Sequence, residues 1–364
     1  MRRVRVLVCA LMLLFVLLLS EASTSKAASQ SFQIVAVQYK WNPEVDYASP
    51  ATFKATVDSI MQNVMSQVDP NIPTLVAFPE DIGLPMLFIE NDIDILRSAT
   101  TFADAIQKLI ERHLWDVTLF RLRYGVDWVR ALFLERSGAM ARAYLDTFKE
   151  MAAKYRVYLV AGSIPMRPVN EDGTLVNDDS TVYNLSYFFG PDGDLIGYQK
   201  KVNLVPSEQY KDENGNYGLD LNAGTLEELK VFSTPFGSVA IAICYDAFHY
   251  KVIWELVKKG GEILVMPSAN FGLWTREQQS DWLNSAWLAT RHPYGLKWFV
   301  NPMMVGALKD ITFEGQSSIG VNWMLIPDRP QMNYMDLDPI TGFLSIAPSK
   351  DQYEIVVARI SREM

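Results

Sequence analysis

Cys244 offers the sequence its clearest nucleophile. The chain holds two cysteines, too few for a disulfide framework, and Cys9 lies in an N-terminal segment with the marks of a removable leader. Cys244 closes the apolar run Val239-Ala240-Ile241-Ala242-Ile243 and is followed by Tyr245-Asp246 and a helical pattern from about His249. A thiol there stands at the exposed end of a buried strand, beside backbone N–H groups able to stabilise a thiolate or an oxyanion. A lone cysteine is often only a small buried hydrophobe, so its companions decide. A cysteine nucleophile needs a base, most often histidine. The chain has three histidines, His113, His249 and His292. His249 is near in sequence, but no residue marks itself as an orienting partner for a Cys-His pair.

Two other segments end in reactive groups at comparable places. Leu75-Val76-Ala77-Phe78 runs into Pro79-Glu80, and the proline blocks further strand pairing just before the carboxylate. Gly197-Tyr198-Gln199 runs into Lys200-Lys201 and then Val202-Asn203-Leu204-Val205-Pro206-Ser207-Glu208. Taken singly, a charged residue at a strand end is ordinary.

The elements that must position these residues follow from hydrophobic periodicity. Strands are expected at 32–38, 74–78, 157–162, 182–189, 239–243, 263–266, 299–305 and 353–360. Helices are expected at 50–68, 138–155, 249–259 and 276–291, the third stopped by Gly260-Gly261. Gly190-Pro191-Asp192-Gly193-Asp194 makes 182–200 a hairpin. Alternating strands and helices predict a layered α/β domain. Residues 87–137 break that rhythm with helical patterning and no strand. There Arg112, Arg121, Arg123, Arg130 and Arg136 interleave with Leu114, Trp115, Leu119, Phe120, Leu122, Trp128 and Phe133. Such a segment is either a lid packed on the domain or a surface for peripheral membrane contact.

In order, Pro79-Glu80, Lys201-Val202-Asn203-Leu204-Val205-Pro206 and Ile243-Cys244-Tyr245-Asp246 resemble the nitrilase superfamily of carbon–nitrogen hydrolases. The likeness extends from Ile34-Val35-Ala36-Val37-Gln38 through Met266-Pro267-Ser268-Ala269-Asn270 and Trp274 to Phe313-Glu314-Gly315-Gln316. It implies a four-layer α-β-β-α sandwich over residues 32–364, with about 87–137 as a helical insertion that gates or shapes the pocket. It implies a Glu-Lys-Cys triad: Glu80 as general base, Lys201 rather than Lys200 as oxyanion stabiliser, and Cys244 as nucleophile. Glu208 would orient the lysine or the substrate, and the Tyr245 amide would meet the oxyanion. It further implies a small-molecule amide substrate, no cofactor or metal, and a homodimer or higher homo-oligomer. Acyl transfer to an amine and nitrile hydrolysis are the alternatives on the same triad. A non-catalytic binding protein on this scaffold is less favoured, since all three triad residues are retained. Asn203 stands where many members have His and Asp246 where many have Glu, and the segment from Leu204 to Glu208 is one residue short.

Composition narrows the rest. The sequence has 364 residues, 49% hydrophobic and 21% charged, which excludes disordered and collagen-like classes. A net charge of -9 argues against a nucleic-acid partner. No Gly-x-Ser-x-Gly elbow, phosphate loop or dinucleotide fingerprint is present. Arg2, Arg3 and Arg5, the apolar run from Val6 to Leu19, and the small residues Ser25 and Ala27 follow the order of a secretory signal peptide over residues 1–27. The apolar run is shorter than the ~20 residues of a membrane-spanning helix. An exported protein is therefore expected, an uncleaved anchor over residues 4–19 being the alternative.

Overall fold

The computed structural model describes residues 31–170, 172–176, 179–211, 218–291, 295–326 and 330–361. The signal segment, the anchor alternative and His292 lie outside these residues. No helix among the described residues is long and apolar enough to cross a membrane.

The chain opens with β1 (Phe32–Trp41), the short α1 (Pro43–Asp46), α2 (Pro50–Gln67) and β2 (Thr74–Ala77). Ser49 caps α2 by accepting the Thr52 N–H, with Pro50 preset for the first turn. Next come α3 (Ile93–Ser98), α4 (Phe102–Arg112), α5 (Leu114–Tyr124) and the long α6 (Trp128–Tyr155). Strands β3 (Tyr158–Val160), β4 (Ile164–Met166), β5 (Tyr183–Phe189) and β6 (Leu195–Lys200) follow, then β7 (Val231–Thr234) and β8 (Gly237–Ile241). After α7 (Tyr250–Lys258) lie β9 (Ile263–Val265), β10 (Ser268–Ala269), α8 (Arg276–Trp282) and α9 (Ala286–Ala289). The last third holds β11 (Trp298–Asn301), β12 (Met303–Leu308), β13 (Ile311–Phe313) and β14 (Ser318–Val321). A small ribbon of β15 (Gln331–Met332) and β16 (Ile340–Thr341) precedes β17 (Phe343–Ile346) and β18 (Glu354–Ile360).

Two sheets face each other. The first runs β10-β12-β1-β2-β3-β5-β4, with β18 beside β1, β13 beside β12 and β6 beside β5. The second runs β17-β14-β11-β9-β8-β7. Side chains alternate across a strand, so β1 serves two cores. Phe32, Ile34 and Ala36 pack with Val239, Ile241 and Val300 of the second sheet. Val35, Val37 and Tyr39 pack with α2 and α6 through Phe53, Val57, Tyr144 and Phe148. On the far side of the second sheet, α7 buries Val252, Ile253 and Leu256. The layers are helix, sheet, sheet, helix, as the resemblance implies. Each fully buried Val, Leu, Ile or Phe contributes about 1.5–3 kcal/mol.

Three expectations are redrawn. The run 299–305 is two strands in different sheets, because Pro302 has no N–H to continue a ladder and the chain crosses over there. The helix over 276–291 is interrupted, since Ser285 takes φ −102 and ψ −125, outside the helical region. The helix expected at 138–155 begins at Trp128, capped by Asp127, so it joins the insertion to the domain without a break. The insertion is accordingly part of the main core. Phe88, Leu96, Leu109, Val117, Leu132 and Phe133 are buried in the same cluster as Val35 and Val76.

Candidate active site

Glu80 lies three residues beyond β2 and Cys244 three beyond β8, two parallel-paired strands from opposite sheets. Their ends meet at one edge of the sandwich, and β6 delivers Lys201 to the same point. Gly162 secures the glutamate turn: at φ +78 it lies so close that a Cβ would meet the Pro79 carbonyl at 2.1 Å. Cys244 has φ +45, left-handed for a non-glycine residue, in the 3-10 turn Cys244–Phe248 that precedes α7. Such a conformation costs on the order of 1–3 kcal/mol and is held by its surroundings, here partly by the Cys244 N–H to Pro267 carbonyl bond of 2.9 Å.

The charged groups are buried and mutually bonded. The Lys201 ammonium donates to Glu80 Oε1 at 2.8 Å and to Glu208 Oε2 at 2.7 Å. Asn184, on β5, donates to Glu80 Oε1 at 3.1 Å and to Glu208 Oε1 at 2.8 Å. The Ala269 N–H donates to Glu80 Oε2 at 3.2 Å, and the Val205 N–H to Glu208 Oε2 at 3.0 Å. The short 3-10 turn Pro206–Glu208 brings Glu208 inward despite the missing residue before it. Lys200 goes elsewhere: its ammonium bonds Glu228 at 2.6 Å and covers the Tyr183 ring.

Electrostatics sets the resting protonation. Burial raises the Glu80 carboxyl above its ordinary value; Lys201 opposes and Glu208 adds to the rise. Burial draws the Lys201 ammonium down, but Glu208, Glu80 and Cys244 outweigh it and hold the group well above the usual lysine range. Burial and then Glu80 push the Cys244 thiol well up, against the pull of Lys201. These shifts favour a neutral thiol beside a charged ammonium. An ammonium has three protons, so the two carboxylates leave one for an oxyanion. Tyr245 is second in the 3-10 turn, where N–H groups lack intrahelical acceptors.

The structure places the two described histidines and adds residues the sequence reading missed. His113 bonds Asp92 at 2.9 Å in the insertion. His249 precedes α7 and packs its ring on Tyr245 at 4.6 Å, with burial lowering its basicity. Asn184 was signalled only by being amide among apolar neighbours in a buried strand. The two departures from the family pattern turn out to be partners: Asn203 Nδ2 donates to Asp246 Oδ1 at 2.9 Å. Asp246 also accepts the Val202 and Asn203 N–H groups, so it ties the cysteine turn to the lysine segment. Among the described residues, no cluster of His, Cys, Asp or Glu is arranged as a metal site.

Glu80, Lys201, Glu208 and Cys244 line one side of a cavity of roughly 680 Å³. Its other walls come from the insertion, through Phe102, Ile106, Ile110, Leu114 and Trp128, and from Leu308, Ile311 and Phe313 of the β12–β13 hairpin.

A family model described as carbon-nitrogen hydrolase matches residues 115–319, more than half of the chain. The chain belongs to the carbon-nitrogen hydrolase family. Lys201, Glu208 and Cys244 fall inside the matched range, and Glu80 precedes it. Among curated relatives, the omega-amidase NIT2 of Danio rerio is 33% identical over 154 residues, covering 41% of this chain and 48% of that protein. The probable hydrolase YhcX of Bacillus subtilis is 28% identical over 137 residues, covering 38% and 23%. The matched stretch spans about half or less of these relatives' lengths. A carbon-nitrogen hydrolase from Helicobacter pylori superposes with TM-score 0.56 at 17% identity, covering 92% and 90% of the two chains. An amidase from Nesterenkonia sp., solved as a mutant with acrylamide, gives TM-score 0.55 at 13% identity, covering 92% of each chain. These likenesses show a shared fold.

Proposed function

We propose that this carbon-nitrogen hydrolase cleaves a non-peptide amide through a Cys244 thioester, with Glu80 as general base and Lys201 meeting the oxyanion. The observation that carries the reading is the convergence of Glu80, Lys201 and Cys244 in one cavity, with Lys201 fixed between two carboxylates. As Cys244 Sγ attacks the amide carbon, its proton passes to Glu80, and the spare ammonium proton and the Tyr245 N–H stabilise the oxyanion. Glu80 returns that proton to the nitrogen as the C–N bond breaks and the amine leaves. Water then adds to the thioester, giving a proton to Glu80; the C–S bond breaks, and the proton restores the thiol. Glu208 and Asn184 orient Glu80 and Lys201 without touching the reacting atoms. The amide-acting relatives support water as acceptor and an amide as substrate.

Mass spectrometry of the wild type and Glu80→Gln, each incubated with amides, nitriles and amine acceptors, tests this. The expected result is an acyl adduct on Cys244 and a hydrolysed product in the wild type, with both strongly reduced in Glu80→Gln and absent in Cys244→Ala. A wild type that forms neither adduct nor product with any amide would sink the proposal. Transfer of the acyl group to an added amine in preference to water would identify an acyltransferase, and ammonia release from a nitrile the third chemistry.

Export over residues 1–27 belongs to the same proposal, supported by the order of basic, apolar and small residues. A mature N-terminus found after Ala27 in the secreted protein checks it; an intact leader in a membrane fraction favours the anchor. Peripheral membrane contact rests on α5, where Trp115, Leu119 and Leu122 form one exposed apolar face. Sedimentation with phosphatidylcholine vesicles, lost in Leu122→Glu, is the expected outcome. Homodimerisation is proposed through α7, whose Tyr250 and Trp254 are exposed beside Leu288. Trp254→Glu is expected to yield a monomer by light scattering.

A further inference from the structure

The cavity has a character that the triad does not require. Beyond the catalytic edge its walls are mainly apolar: Phe102, Ile106 and Ile110 of α4 face Leu308, Ile311 and Phe313 of the β12–β13 hairpin. Phe102, Ile106 and Ile110 recur at helical spacing, so one face of α4 lines the space. The opposite wall is fixed to it. The Phe102 N–H donates to Asp310 Oδ1 at 2.8 Å, and Asp310 sits in the turn between β12 and β13. Lys309 beside it bonds Glu44 at 2.7 Å. The cavity is therefore a built compartment with two rigid apolar walls.

Charge points the same way. Among the described residues lining the cavity, Lys201 is the one cation, and Glu80 and Glu208 already occupy it. The other charged lining residues are acidic: Asp81, Glu111 and Asp310. A carboxylate on the substrate, away from the amide, would lose its water and find acids rather than a cation. An alkyl chain there would exchange water for apolar walls, at about 0.8 kcal/mol per methylene.

We infer that the substrate is an amide carrying an extended, uncharged apolar chain, which the α4 and β12–β13 walls hold while Cys244 reaches the carbonyl. The inference rests on the amidase reading of the same site and names its substrate class. The chain belongs to either the acyl or the amine half, and two series separate them.

The test measures kcat/KM for acetamide, butyramide, hexanamide, octanamide and decanamide, and for acetamides bearing N-alkyl chains of the same lengths. In at least one series kcat/KM is expected to climb roughly two- to fourfold per methylene until the cavity is filled. The series that climbs identifies the half that carries the chain. Replacing the terminal methyl of the best substrate by a carboxylate is expected to lower kcat/KM by at least about 100-fold. Ile106→Trp, which narrows the cavity, should reduce the ratio of kcat/KM for the longest to the shortest member of whichever series climbs; Val129→Phe provides a second variant if the first does not fold. Turnover of short amides with both series flat or falling, or equal use of the carboxylate analogue, overturns the inference while leaving the amidase reading intact. Absence of turnover and of any Cys244 adduct across both series would overturn the two together.

Discussion

Lys201 has two carboxylate partners, and this sets the charge of the centre. Two carboxyl groups face one ammonium, a balance that disfavours a resting thiolate, consistent with the raised Cys244 thiol. Glu80→Gln removes one of the charges that raise the thiol and leaves the Lys201 ammonium in place, so iodoacetamide is expected to alkylate Cys244 at least as fast in that variant as in the wild type at neutral pH. A roughly tenfold slowing would show that the Glu80 charge is not what holds the thiol protonated. Asp246 operates one step back, as a positioning residue. Asp246→Ala would strip the acceptor from two backbone N–H groups and Asn203, at a cost of about 2–3 kcal/mol. kcat should fall more than KM rises, and Asp246→Asn should recover part of it. Burial pushes the Asp246 carboxyl from 3.8 up to about 6. The unfolded chain therefore releases this proton first, and stability is lost as pH rises from about 4 to about 6. Urea midpoints of wild type and Asp246→Asn should diverge across that window, the wild type losing on the order of a few kcal/mol relative to the variant. Parallel profiles would show that its charge is not penalised in the fold.

At the scale of elements, the insertion performs two tasks. Its helices wall the cavity, and they also complete the core on the helix side of the first sheet. Arginine patterning gave the impression of a basic surface, but several of those side chains are engaged. Arg112 bonds Asp94, Arg130 bonds Asp220, and buried Arg136 donates to the Leu87 and Ile89 carbonyls. The exposed part of α5 joins Trp115, Leu119 and Leu122 with one acid and one base, Asp116 and Arg123, whose charges offset, so vesicle binding through it should change little with salt. Because α6 runs unbroken from Trp128 to Tyr155, excising 87–137 removes the first part of a core helix. Circular dichroism of that deletion is expected to show loss of the folded state, and a cooperative, wild-type-like melt would overturn this. A milder cut at the same joint is Asp310→Ala, which releases the Phe102 N–H and should cost about 1 kcal/mol.

The whole molecule determines when the site works. Two sheets must be packed before the ends of β2 and β8 come together, so chemistry and global stability are coupled. As the proposed base, Glu80 would have to be ionised to accept the thiol proton, and its carboxyl is raised from 4.5 by burial. The acid limb of kcat/KM is therefore expected above the ordinary glutamate range, falling as pH drops through the raised value. A limb at or below 4.5 would indicate that Glu80 is not the base.

Local order along the chain determined a good deal. Short apolar runs rich in β-branched and aromatic residues marked most strands, Pro79 marked the end of β2, and Ile243-Cys244-Tyr245 marked the strand-to-helix turn, because these are short-range effects of side-chain shape and backbone freedom. Glu80, Lys201 and Cys244 stood out for the same reason, each at its own strand end, but only the family resemblance joined them in the sequence, and the structure brings the three together. The register of the resemblance favoured Lys201 over Lys200, and the tertiary structure gives the reason, since adjacent residues at a strand end point to opposite faces and only Lys201 enters the site. Tertiary structure alone decided that Asn184 bridges two carboxylates and that Asn203 answers Asp246. These contacts join residues distant in sequence, and a buried polar group is satisfied by whatever the packed sheets place beside it. The same packing made 87–137 a wall of the core as well as of the cavity.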